Sequence, residues 1–191
     1  MGKGRMEAFS DGVIAIIITI MVLELKVPHG TELSALRPLV PVFCSYVLSF
    51  VYIGIYWNNH HHMLHAAGKV NGRILWWNLH LLFWLSLVPF ATGWMGENSF
   101  EALPVALYGT ILLMAGLAYF VLARALAAHH GSDSKLAQAI GKDTKTIASL
   151  AAYAAAILLA FVNPWIAFAL YVAVAIGWFI PDRRIERVLA E

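Results

Sequence analysis

The chain has 191 residues, 61% of them hydrophobic and 13% charged, with a formal net charge of +2 at pH 7, and its mean hydropathy is +0.73. A soluble domain of this length has too little interior to hide that much apolar surface, so the composition excludes an ordinary aqueous globule and places most of the chain in lipid. The small charge, with no basic cluster interleaved with aromatics, excludes nucleic acid as a partner, and the single cysteine, Cys44, excludes an internal disulfide.

A helix that crosses a bilayer needs about 20 mainly apolar residues. Segments 8–27, 38–60, 74–95, 102–127, 146–162 and 164–181 meet that demand, so the sequence reads as one all-α polytopic domain, residues 1–191, with six transmembrane helices. The first segment lies in RMEAFSDGVIAIIITIMVLELKV, Arg5 to Val27. Asp11 within it, and the lack of a small-residue cleavage site after it, read as a retained helix and not a signal peptide. At about 100° per residue, Gly12, Ile16, Thr19, Ile20, Leu23 and Val27 share one stripe, uncharged and with Thr19 as its one hydroxyl. Asp11 points about 140° away from Ile16, so the helix carries two faces. A carboxylate at membrane depth needs a partner. The plain reading of Ser10 and Asp11 is a helix cap or anchor; the sharper one locks this helix to its neighbours and leaves the isoleucine face free. Glu24, about 80° from Ile16, is a solvated helix-end carboxylate or a collector of cations at the outer mouth.

The second segment ends in YWNNHHHMLHAAGKVNGR and the third begins ILWWNLHLLFWLSLVPF. Asn58, His61, His62 and His65 fall on one helical face, and Trp57, Asn71, Trp77, Asn78 and His80 add donors nearby, all on the same side of the membrane as Asp11. Arg5 and the His61/His62 region are the expected partners of that carboxylate. Pro89 is the one candidate helix break at mid-membrane. Gly96-Glu97-Asn98 separates the third segment from the fourth, a polar stretch from His129 to Lys145 follows the fourth, and Asn163-Pro164 makes a tight turn before the last. The Ala-rich fifth segment is expected to pack closely on its neighbours.

Placing both termini in the cytoplasm puts 11 Lys and Arg residues inside, including Lys3, Arg5, Lys69 and Arg73, and only Lys26 and Arg37 outside. That is the positive-inside pattern of a multi-pass protein of the plasma membrane. No repeat and no soluble catalytic domain is visible, and the reading is not that of an enzyme. Two other functions fit parts of the sequence. The run His60 to His65 has the i, i+4 spacing of an intramembrane zinc or haem site, although no HExxH or cysteine accompanies it and Asp11 is the one acid counted near that depth. A secondary transporter is also open, but such proteins place an ionisable group near the midplane, where the first helix has none.

Arg5, Phe9, Ser10 and Asp11 form an Arg-x-x-x-Phe-Ser-Asp pattern that opens a spanning helix. Trp57-Asn58-Asn59-His60-His61 follows late in the second segment, and Asn78 and Pro89-Phe90 in the third. The chain thereby resembles the potassium channel family of transmembrane protein 175, whose bacterial members are single six-helix units. The resemblance implies a homotetramer in the lipid bilayer that passes potassium ions through a central pore lined by the first helix of each subunit, with no cofactor. It further implies that Ile16 forms the narrowest ring, that Ile20 and Leu23 form further apolar rings, and that Thr19 bears on selectivity. Arg5, Phe9, Ser10, Asp11, Trp57, Asn58, His61, His62 and Asn78 would form a structural network. No Thr-Val-Gly-Tyr-Gly filter occurs in the sequence, so a pore of this kind would close by dewetting at a ring of Ile16 side chains.

Overall fold

The computed structural model describes residues 2–131, 134 and 143–179. The described residues form α1 (Lys3–Val22), α2 (Val40–Ala66, led in by a 3-10 segment Leu33–Leu39), α3 (Gly72–Ser86), α4 (Val88–Glu97), α5 (Ala102–His130), α6 (Thr144–Ala160) and α7 (Pro164–Phe179). The fold is all-α, as the hydropathy pattern requires. Pro89 lacks the N–H that would continue the ladder, and its ring presses on the preceding turn. Leu87 nevertheless keeps helical angles (φ −85°, ψ −13°), so α3 and α4 make one kinked rod and the bundle has six rods. Leu33–Ala66, Gly72–Glu97 and Ala102–His130 are long and apolar enough to cross a membrane, while α6 and α7 are shorter apolar helices.

Helix ends differ from the hydropathy boundaries for physical reasons. α1 begins at Lys3 and stops at Val22, about five residues earlier at each end than the apolar window 8–27. Lys3, Arg5, Met6 and Glu7 are good helix formers, and their polarity limits contact with lipid, not helicity. At the other end the chain leaves α1 at Leu23, and Pro28 disfavours helix at Val27, the last residue of the window. Ser10 and Asp11 therefore sit inside the helix and are not its cap. Likewise α2 runs on through the histidines to Ala66, beyond the window 38–60. Side chains cap two helices directly: Asn71 Oδ1 accepts from Ile74 N–H at 3.0 Å and Asp143 Oδ1 from Thr146 N–H at 3.2 Å. The end of the window 164–181 lies outside the described residues.

α1 buries Met6, Ser10, Ile14, Ile17 and Met21 against α2, α3 and α4. α5 is the central rod, packed on α3 and on the Ala-rich α6. Close approach depends on glycine at two places. Gly109 lets the Tyr171 ring of α7 lie against α5, where its hydroxyl donates to Val105 O at 3.2 Å. Gly96 of α4 faces the backbone of Val42 and the side chain of Ser45 on α2, with no room for a methyl group. Several buried hydroxyls are paired: Ser49 Oγ lies 2.6 Å from Thr92 Oγ1 and 3.0 Å from Tyr108 OH, and Tyr52 OH donates to Tyr171 O at 2.7 Å; Thr146 Oγ1 has no partner among the described residues.

The two ends of the bundle are distinct. At one end Lys3 Nζ donates to His65 O (3.3 Å), and His130 Nε2 accepts from the N–H groups of Gly68 (2.9 Å) and Lys69 (3.1 Å). At the other, Lys26 pairs with Glu97, and Phe100 packs on the rings of Trp165 and Phe168. Glu24 belongs to this second end. Its carboxylate lies against Gly93 of α4, so it turns toward its own bundle and away from the stripe.

Candidate functional site

The two faces expected of α1 are both present. Its inner face is fixed by a buried polar chain. Ser10 Oγ donates to Met6 O (2.8 Å) and accepts from Asn78 Nδ2 (2.8 Å), and Asn78 Oδ1 lies 2.7 Å from His60 Nε2. Ser10, His60 and Asn78 are all buried. Because the amide oxygen can only accept, His60 must donate from Nε2. Its Nδ1 is then a buried acceptor with no partner among the described residues. Three rods are tied together through side chains that a low-dielectric surrounding makes costly to leave unpaired.

Beside this chain runs a half-exposed polar seam. Residues 3, 7 and 11 of α1 recur every four positions, as do 57, 61 and 65 of α2, so each set lines one edge of its helix. The helices are antiparallel, and the sets meet in reverse order: Lys3 at His65 O, Glu7 Oε1 at His61 Nδ1 (3.5 Å), and Asp11 Oδ1 accepting from Trp57 Nε1 (3.1 Å). The rings of Trp57, His61 and His65 stack in succession at 6.1 and 6.2 Å between centroids. This arrangement corrects two expectations. Asp11 is held by Trp57, not by Arg5, His61 or His62. Arg5 stands about 120° round the helix from Asp11 and about 20° from Ile16; it is exposed and without a partner among the described residues. The count of acids near the histidines also omitted Glu7, the partner of His61.

Of the other network residues, Phe9 and Asn58 are exposed and His62 packs edge-on against the His61 ring at 5.7 Å. His60 turns inward to Asn78 while His61 turns to Glu7, so the histidine run diverges. Among the described residues no three groups converge as metal ligands. His60 and Glu7 carry more of the site than their types announced. The signal for His60 was its place four residues after Tyr56 and eight after Tyr52 on the buried stripe of α2; for Glu7 it was the i, i+4 relation to Asp11.

The opposite face of α1 is open. Gly12, Ala15, Ile16, Thr19 and Ile20 are exposed, as is Leu23 just past the helix end, with Ile16 58% and Leu23 76% accessible. Val27 also lies beyond the helix, so its place on the stripe no longer follows from helical period. Thr19 Oγ1 donates back to its own helix, at Ile16 O (2.9 Å) or Ala15 O (3.1 Å). That leaves the oxygen lone pairs as the free side of the hydroxyl, able to accept or to meet a cation but no longer to donate.

Residues 5–89 match the family model described as endosomal/lysosomal potassium channel TMEM175. A potassium channel of Chryseobacterium sp. (strain P1-3) is 53% identical over 191 residues, all of both chains. An endosomal/lysosomal proton channel TMEM175 of Gallus gallus is 32% identical over 124 residues, 56% of this chain and 25% of that one. The fold is similar to the crystal structure of a lysosomal potassium-selective channel TMEM175 homolog from Chamaesiphon minutus, with a TM-score of 0.82 and 29% identity, covering 93% of this chain and 96% of that chain.

Proposed function

This chain belongs to the TMEM175 family of potassium channels, and from that membership we propose that four copies form a potassium-permeable pore in the plasma membrane, lined by α1 and closed at Ile16, with both termini in the cytoplasm. The observation that carries this reading is the open stripe of α1, Gly12, Ile16, Thr19, Ile20 and Leu23, on a helix whose other face is tied down by Ser10, Asn78 and His60. A helix held rigidly on one side and left bare on the other presents that bare side to copies of itself or to lipid. The polar first turns of α1, with Lys3, Arg5, Glu7 and Asp11, suit water at a pore mouth better than acyl chains. A ring of four branched Ile16 side chains empties the lumen of water and blocks ions without a carbonyl filter. Thr19, one turn further, offers a ring of oxygens with lone pairs outward. A coupled transporter would need an ionisable group at this depth, and the stripe has none between Gly12 and Leu23.

Recordings from the purified protein in planar bilayers, under opposed potassium and sodium gradients, test the reading. A current whose reversal potential moves toward that of potassium is expected. Gradient-coupled flux without current would replace the channel by a transporter. Since the Gallus gallus relative is named a proton channel, a pH gradient belongs in the same recordings; a current that follows it alone would change the permeant ion and keep the pore.

A further inference from the structure

Outside the stripe and the polar seam, one surface feature has the composition of a ligand site. On the outer face of α3, at the end of the bundle that holds Lys3 and Lys69, the residues Arg73, Trp76, Trp77, Leu79 and His80 line an open depression of about 650 Å³. We propose that this depression binds the phosphate headgroup of an anionic phospholipid, with the acyl chains lying along α3 and α4.

Charge and hydrogen-bonding capacity both favour this occupant. Arg73 is exposed and has no hydrogen-bond or ion-pair partner among the described residues, so its planar fork is free for a bidentate phosphate contact. His80, also exposed, accepts a hydrogen bond from Trp84 Nε1 at its Nε2 (3.3 Å). The ring proton of neutral His80 must then sit on Nδ1, so this lining residue keeps one donor free of the Trp84 contact. Trp76 is 74% exposed, and Trp77 packs edge-on against His80 at 6.0 Å; indoles of this kind sit at the headgroup level with their N–H groups toward polar atoms.

The order along the rod follows a lipid from head to tail. Arg73 comes first, the tryptophans and His80 next, and then the exposed Phe83 and Phe90. At 1.5 Å per residue, Phe83 lies about 15 Å beyond Arg73 along the axis, within the depth of about 20 Å of one leaflet with its headgroups, and Phe90, about 25 Å beyond, lies near the bilayer centre. An apolar partner would leave Arg73 uncompensated, and a soluble anion would leave the phenylalanine strip unused.

Native mass spectrometry of the delipidated full-length protein, titrated with phosphatidylglycerol or with phosphatidylcholine of the same acyl chains, tests the assignment. Phosphatidylglycerol should bind about fivefold more tightly, the effect of one basic side chain at an anionic surface. Arg73→Gln should erase that preference, and His80→Phe should reduce it. Arg124→Gln, at an exposed arginine of α5 that lies over Phe120, should leave it intact. Equal binding of the two lipids, or a preference that survives Arg73→Gln, would overturn the proposal. So would displacement of phosphatidylglycerol by glycerol phosphate without acyl chains, which would make the site one for soluble anions. Loss of the oligomer in Arg73→Gln would overturn it too, by giving the face to a second copy of the chain.

Discussion

Thr19 and Ile16 sit one turn apart on the same open face of α1, and in the proposed pore their chemistry would divide the work between them. The Thr19 proton is engaged with the helix carbonyls at 2.9 and 3.1 Å, so a ring of these hydroxyls offers only lone pairs to a partly dehydrated cation. Thr19→Val removes the oxygen at nearly constant volume; the potassium-to-sodium permeability ratio should fall about fivefold, the equivalent of one ordinary net hydrogen bond near 1 kcal/mol, while the closed state stays tight. Bi-ionic reversal potentials measure it. Ile16→Asn should instead raise resting conductance by wetting the ring, read as current at zero stimulus in the same bilayers. The anchoring side has its own ranking. Asn78→Leu strands a buried histidine N–H and removes the bond that Ser10 Oγ accepts, although the hydroxyl keeps Met6 O, and should cost about 2–3 kcal/mol. Asp11→Asn keeps an acceptor for the half-exposed Trp57 indole and should cost about 1 kcal/mol or less. Thermal unfolding of the two purified variants gives the order, and an Asp11→Asn protein less stable than Asn78→Leu would reverse it. The open stripe was legible in the sequence because helical period and apolarity coincide from Gly12 to Ile20. The pairing of the anchor was not. Periodicity says which residues share a face but not that Trp57 reaches Asp11 before a histidine does, nor that His60 alone of its run turns inward.

On the level of helices, hydropathy and helicity proved to be separate quantities. The apolar windows found every rod because a bilayer fixes their minimum length, yet they misplaced the ends of α1 and α2, where Lys, Arg, Glu, Asn and His continue a helix that lipid would not favour. The polar extensions hold Lys3 and Glu7 of α1 and His61 and His65 of α2, so the same misplacement hid that part of the ladder, while Asp11 and Trp57 stood inside the windows. Pro89 was recognisable as a candidate break within the single apolar window 74–95, and the helical angles of Leu87 keep α3 and α4 as one kinked rod. Close helix contacts were illegible for a simple reason: a glycine in sequence does not say what faces it. Gly96 faces the Val42 backbone, whereas Gly54 of α2 has nothing within 4 Å of where a methyl would stand. Gly96→Ala should therefore destabilise the protein by about 1–3 kcal/mol through forced separation of α2 and α4. Gly54→Ala should be neutral or stabilising by up to about 1 kcal/mol through helix propensity. Paired melting curves of the two variants separate packing from propensity; equal shifts would remove the close approach at Gly96 as a cause.

For the whole molecule, the reading proposed above has copies of this multi-pass bundle of the TMEM175 family meet about the exposed face of α1. Four copies of the 21.1 kDa chain should appear by native mass spectrometry, and Thr19 and Leu23 should then line water while Ile17 and Met21, buried within each subunit, should not. Cysteine substitution reads this out directly. The native Cys44 is exposed and is first replaced by serine to give a cysteine-free channel. Single cysteines are then placed at 17, 19, 21 and 23, and potassium current is followed while a small charged thiol reagent is added. Block at positions 19 and 23 with none at 17 and 21 is the expected result; current that survives modification at 19 and 23, or block confined to 17 and 21, would contradict a pore lined by the open face of α1.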